Sequence, residues 1–158
     1  MSTRATLLLD IDGVFLRLPQ ATSVVRDRYE MVPGALPFLR WATATFDCAW
    51  LSTRCRSGDP EGAWRAFRLA DGPGILEVEW EIIRSVNALK WTTSKAASID
   101  LESQFFWLDD APTDDDQVLL RRHDLLERLI VVNAHHDRNA LAHAQAALTA
   151  RLSSGLSR

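Results

Sequence analysis

The chain has 158 residues, 47% of them hydrophobic and 25% charged, a composition that suits one globular domain and excludes a disordered one. Its formal charge of −3, from 18 basic and 21 acidic residues, lacks the basic excess with which general nucleic-acid binders neutralise phosphates. Met1-Ser2-Thr3-Arg4 leads into an apolar run too short for a signal peptide or a membrane span, and Cys48 and Cys55 make neither a disulfide framework nor a zinc pattern. The expectation is a cytoplasmic protein with reduced thiols and no membrane partner, a single domain over 1–158 with a frayed tail at 151–158.

Thr6-Leu7-Leu8-Leu9 is a continuous apolar run, as expected of a strand buried on both faces, and it stops at Asp10. Gly13 then permits a sharp turn. Val32-Pro33-Gly34 marks a helix start, and Leu36, Leu39, Thr43 and Phe46 follow at helical spacing. Cys48-Ala49-Trp50-Leu51 reads as a second buried strand, ending at Ser52. Asp59-Pro60-Glu61 opens another helix, with Asp59 as N-cap and Trp64, Phe67 and Leu69 on its apolar side.

Residues 75–80 suit a strand and 81–89 either loop or helix, while Thr92-Thr93-Ser94 looks like the cap of a short helix over 95–99. Phe105-Phe106-Trp107-Leu108 is a third apolar strand and ends on Asp109-Asp110. A helix over 119–126, a fourth strand Leu129-Ile130-Val131-Val132 and an alanine-rich helix over 139–152 complete the chain. Strands alternating with helices predict an α/β fold, a three-layer sandwich around a central parallel sheet.

Open α/β sheets carry their reactive groups just beyond the carboxyl ends of the strands. Those ends hold Asp10 with Asp12, then Ser52, then Asp109 with Asp110, and Lys95 leads into the third of them. Carboxylates that hold a divalent cation, with a hydroxyl and an ammonium for phosphate oxygens, suit phosphoryl transfer.

These residues resemble the haloacid-dehalogenase-like (HAD-like) superfamily of hydrolases. Leu8-Leu9-Asp10-Ile11-Asp12-Gly13-Val14 is similar to its first motif, and Trp50-Leu51-Ser52-Thr53 to its second. Lys95 is similar to the third, and Phe106-Trp107-Leu108-Asp109-Asp110 to the acidic fourth. The resemblance spans Leu7 to about Val132. It implies a phosphatase in which Asp10 attacks phosphorus to form an aspartyl-phosphate and Asp12 acts as acid and then base. It also implies Mg²⁺ held by Asp10, the main-chain carbonyl of Asp12 and one or both of Asp109 and Asp110, with Ser52 on a phosphate oxygen and Lys95 offsetting the crowded charge.

Members of this superfamily often carry cap domains between these motifs. Residues 13–51 and 53–94 leave no room for a large one, so an open site is expected. Capless relatives act on large substrates or borrow a lid from a neighbouring subunit, and the chain is similar to HAD domains linked with RNA-end repair. The implied partner is therefore a phosphorylated substrate, macromolecular in the form of a nucleic-acid end or a phosphoprotein. Arg54 and Arg56 are the candidates for remote contacts with an anionic chain. A non-catalytic binding or regulatory module on the same fold is the rival reading.

Other readings of the same residues are weaker. An EF-hand loop starting at Asp10 needs Gly and Glu where Phe15 and Ala21 stand. A receiver domain carries its phosphorylated aspartate on a middle strand, whereas here the acidic pair ends the first. Thr53 rivals Ser52, and Lys90 rivals Lys95. His135-His136 follow the last strand and either line the same edge or are ordinary exposed loop histidines, and Trp41, Trp50, Trp64 and Trp107 fall on apolar stretches expected in the core.

Overall fold

A computed structural model of the protein describes residues 4–18, 29–71 and 74–155. The chain runs through β1 (Thr6–Leu9), β2 (Leu16–Arg17), β3 (Glu30–Met31), α1 (Ala35–Thr45), β4 (Asp47–Trp50), α2 (Glu61–Asp71) and α3 (Glu77–Ser85). It continues with β5 (Asn87–Ala88), β6 (Phe105–Asp109), α4 (Asp114–Arg122), β7 (Leu129–Val131) and α5 (Ala140–Ser153). Single 3-10 turns cover Thr53–Cys55, Ala96–Ser98 and Leu126–Arg128.

Because Leu7, Leu8 and Leu9 leave no polar face, β1 belongs in the middle of a sheet covered on both sides. It lies at the centre of a five-stranded parallel sheet of order β5-β4-β1-β6-β7. Leu9 is level with Trp50 on one side and Leu108 on the other, so Asp10 leaves β1 where Asp109 ends β6. Successive side chains point to opposite faces. Leu7, Leu9, Phe106 and Leu108 pack into the larger core, with Phe38 of α1, Phe67 of α2, Ile83 of α3 and Leu148 of α5. Leu8, Phe105 and Trp107 pack on the other face with Leu120 of α4 and Ala96. The fold is the expected three-layer α/β sandwich.

The large core also fixes the turn after β1. Phe15 is fully buried, with its ring edge-on to Trp50 at a centroid distance of 5.8 Å. Phe15→Ala would cost about 3–5 kcal/mol. That loss would fall on the segment carrying Asp10 and Asp12.

Several elements depart from the sequence reading. Residues 77–80, expected as strand, open α3, which continues to Ser85 through part of the stretch that suits loop or helix, because Trp80 and Ile83, one helical turn apart, bury on the same side. Strand β5 is two residues long and half polar, too short to show a pattern. Helix α4 starts at Asp114, not near 119, and the chain has left it by Asp124, whose φ is 57°. A small antiparallel ribbon, β2 with β3, follows the first acidic turn unannounced, tied by Arg17 to Glu30 at 2.7 Å. Helix α5 reaches Ser153, so 151–153 are helical where fraying was expected. Residues 1–3 at the start and 156–158 of the tail lie outside the described residues.

Between β2 and β3, residues 19–28 also lie outside the described residues. Among the described residues no segment between the motifs builds a separate domain, and no helix is long and apolar enough to cross a membrane.

Candidate active site

The parallel register sets two buried carboxylates side by side. Asp10, 5% exposed, follows β1, and Asp109, 1% exposed, closes β6. One oxygen of each is held by a main-chain N–H just downstream: Ile11 donates to Asp10 Oδ1 (2.8 Å) and Ala111 to Asp109 Oδ1 (3.0 Å). The other oxygens share one cation. Lys95 Nζ lies 2.9 Å from Asp10 Oδ2 and 2.6 Å from Asp109 Oδ2. The rival Lys90 is exposed, its main chain packed close to Gly58.

Asp110 joins this pair. Asp10, Asp109 and Asp110 each offer a carboxylate oxygen within 4.8 Å of the others, a grouping that can hold a metal ion. Gly13 makes that approach possible. Its φ is +76°, and a Cβ there would fall 2.1 Å from Asp110 Oδ2. The glycine after Asp-x-Asp thus serves two ends, the left-handed turn and the space for a carboxylate from β6.

Burial and crowding both act on the pKa values of these groups. Burial, then the nearby charge of Asp10, pushes Asp109 up to about 6, and the same two causes in the same order push Asp110 up to about 6. Burial pulls Lys95 downward, but the charges of Asp10 and Asp109 outweigh it and leave the ammonium above its ordinary value. Three carboxylates against one ammonium leave an uncompensated negative charge, and their oxygens are the hard donors that Mg²⁺ or Ca²⁺ takes. The donor set fits a divalent cation.

Asp12 stands outside that cluster. Its carboxylate takes a bidentate pair from Arg54, with Nε 2.9 Å from Oδ2 and Nη2 2.8 Å from Oδ1. The Asp12 hydrogen bond is the largest influence holding Arg54 protonated. Its guanidinium also lies over the Tyr29 ring, 4.9 Å from the centroid. Arg54, one of the two candidates for contacts with an anionic chain, has its Nε and Nη2 engaged by Asp12. Arg56 remains at the surface, stacked 4.4 Å over Trp91 and donating to the Thr92 carbonyl.

Of the two candidate hydroxyls, Thr53 lines the cavity and Ser52 is not among its lining residues. Ser52 is fully buried, and its Oγ accepts from the Arg54 N–H at 3.3 Å, capping the 3-10 turn. Thr53, exposed, lies on the wall of the cavity that Asp10, Asp12, Lys95, Asp109 and Asp110 line, a space of about 280 Å³. Trp91 also lines it, its indole N–H fixed to the Ser52 carbonyl at 3.0 Å. Trp91 follows a stretch with no clear period, so nothing in the sequence separated it from the core tryptophans. Trp50 and Trp107 are fully buried as expected, whereas Trp41 and Trp64 are half-buried at the core's margin. His135 and His136 do not line the cavity.

Comparison of the chain with protein-family models, with curated proteins and with solved structures gave no match.

Proposed function

We propose that this chain is a Mg²⁺-dependent phosphatase of HAD-like type, hydrolysing a phosphate monoester through an aspartyl-phosphate. One observation carries the reading: Lys95 bridges Asp10 and Asp109 in a cavity that also holds Asp12 and Asp110. A structural ion pair needs one carboxylate, and no packing reason calls for three carboxylates and a lysine at the open end of a parallel sheet.

In this reading Asp10 attacks phosphorus, and the P–O bond to the leaving group breaks as the new one forms. Asp12 enters the first step protonated and gives that proton to the departing oxygen; as a carboxylate it then takes one from the water that hydrolyses the acyl phosphate. Arg54 fixes the direction of the Asp12 carboxylate, which its bidentate contact supports. Lys95 keeps Asp10 aimed and offsets the charge that the phosphate brings. Ser52, the strand-end hydroxyl, or Thr53, its neighbour on the cavity wall, hydrogen-bonds a phosphate oxygen. Asp10, Asp109 and Asp110, with the main-chain carbonyl of Asp12, would hold Mg²⁺, which offsets charge on the transferring phosphoryl group.

The short segments between the strand ends favour a macromolecular substrate, a nucleic-acid end or a phosphoprotein, with Arg56 as the surface cation beside the cavity. Both cysteines are free thiols, in keeping with a cytoplasmic protein. The test is hydrolysis of an aryl phosphate with Mg²⁺, with EDTA and with Asp10→Asn. Turnover lost in both controls supports the reading. A folded protein that binds Mg²⁺ without turnover would be a binding module instead.

A further inference from the structure

Lys95 has to deliver an ammonium to two buried oxygens from a segment without regular structure. Residues 92–95 belong to no strand or helix, and the 3-10 turn that follows is one turn long. A four-carbon side chain on such a loop has many rotamers, and fixing it costs conformational entropy. Something must hold the loop.

The neighbours of Lys95 on both sides are tied to one atom. Ser94 Oγ donates to Asp116 Oδ1 at 2.7 Å, and the Ala96 N–H donates to the same oxygen at 2.8 Å. The other oxygen, Oδ2, accepts from the Thr113 hydroxyl at 2.7 Å and the Thr113 N–H at 3.1 Å. The Asp116 N–H returns a bond to Thr113 Oγ1 at 3.1 Å, closing the capping box of α4. Such a box occupies one carboxylate oxygen. Here the second oxygen is given to the lysine loop, and the carboxylate is 1% exposed. Burial alone would raise its pKa, but the Ala96, Ser94 and Thr113 donors hold it below the ordinary value.

Thr113 is also close in sequence to the reacting edge. The chain from Asp109 turns at Ala111, whose N–H is held by Asp109 Oδ1, and reaches Thr113 two residues later. Asp116 therefore ties the loop of Lys95 to the segment that carries Asp109 and Asp110.

We propose that Asp116 is a positioning residue: by clamping Ser94 and Ala96 to the start of α4 it sets Lys95 on Asp10 and Asp109. The proposal rests on the phosphatase reading only for its catalytic consequence; the placement of Lys95 can be measured without turnover. An ordinary helix cap predicts lost stability and nothing particular at Lys95.

Lys90 and Lys95 are the chain's lysines, one exposed and one half-buried and held in ion pairs, so each protein molecule carries its own reference amine. Acetylation by an N-hydroxysuccinimide ester, followed residue by residue with mass spectrometry, gives the Lys95-to-Lys90 rate ratio. Asp116→Asn cannot accept at both positions and should raise that ratio roughly 5-fold, the factor expected from one lost hydrogen bond. Ser94→Ala keeps the carboxylate and its Thr113 bonds and should raise it by about 2-fold or more; it decides the matter if Asp116→Asn does not fold.

In turnover of an aryl phosphate, Asp116→Asn should lower kcat/KM roughly 10- to 100-fold, as small misplacements do. In a Lys95→Ala background the same change should cost no more than about 2-fold, since the group it positions is gone. An unchanged acetylation ratio in folded variants, or an equal loss with and without Lys95, overturns the proposal. A raised ratio in a protein without turnover upholds the positioning and rejects the phosphatase.

Discussion

Gly13→Ala tests the candidate metal cluster through its backbone. Alanine at φ +76° is in the left-handed region, which costs about 1–2 kcal/mol. For a chain of this size that lowers the melting temperature by roughly 2–8 °C. The larger consequence is local. The new methyl would lie 2.1 Å from Asp110 Oδ2, 2.4 Å from its Cγ and 2.7 Å from its Cβ, so the whole carboxyl group is obstructed. Relief requires Asp110 to retreat by roughly 1 Å or more, since carbon contacts settle near 3.5–4.0 Å. Mg²⁺ accepts oxygens only near 2.0–2.1 Å, so a displacement of that size removes Asp110 from its coordination. Half-saturation by Mg²⁺ should move up by about 10- to 100-fold, the range found when a ligand's support is lost. The assay is aryl-phosphate turnover against Mg²⁺ concentration, with melting curves in parallel. A Gly13→Ala protein with wild-type Mg²⁺ dependence would refute the placement of Asp110 in the cluster.

Asp12→Asn should slow turnover by roughly two to four orders of magnitude, and less for good leaving groups that need little protonation. Equal losses on aryl and alkyl phosphates would argue against the acid role. Mg²⁺ or Mn²⁺ should support activity and Ca²⁺ should not, because Ca²⁺ favours more ligands and looser geometry; full activity in EDTA removes the metal from the account. The stability that Asp116 contributes has a defined pH sense. Its folded-state pKa is depressed, so the contribution is complete above the unfolded value near ~3.9 and fades as pH falls through the lower folded one. Urea midpoints should show a constant gap between wild type and Asp116→Asn above that range, closing below it; a gap unchanged at low pH contradicts the assignment.

The sheet and the acids at its edge were legible because the same residues carry both signals. Leu7-Leu8-Leu9 and Phe105–Leu108 are uninterrupted apolar runs, and a charged residue at the end of such a run has nowhere to go but the strand's mouth. Lys95 was legible as a lysine upstream of Asp109, though sequence left Lys90 beside it; the choice depends on how the loop folds, which Asp116 controls from 20 positions on.

The partners that orient the site were not legible. Arg54 meets Asp12 across 42 positions, and no local pattern distinguishes that arginine from the neighbouring Arg56. Trp91 reaches the cavity through a bond to the carbonyl of Ser52, a contact that any indole near the edge could make. The first turn of α3 was hidden behind a strand signal, since Ile75 and Val78 favour strands until Trp80 and Ile83 bury together. Local patterns report which faces are apolar, while the pairing of one polar side chain with another is a tertiary event.

The most direct measurement is the chemical identity of the phosphorylated residue. Wild-type protein turning over a ³²P-labelled phosphate ester with Mg²⁺ is quenched in acid, reduced with borohydride and digested. An acyl phosphate on aspartate is converted to homoserine, so the account predicts homoserine at position 10, and none in Asp10→Asn or in EDTA. Turnover without a trapped phosphoenzyme, or conversion at Asp12, Asp109 or Asp110 in place of Asp10, would contradict it.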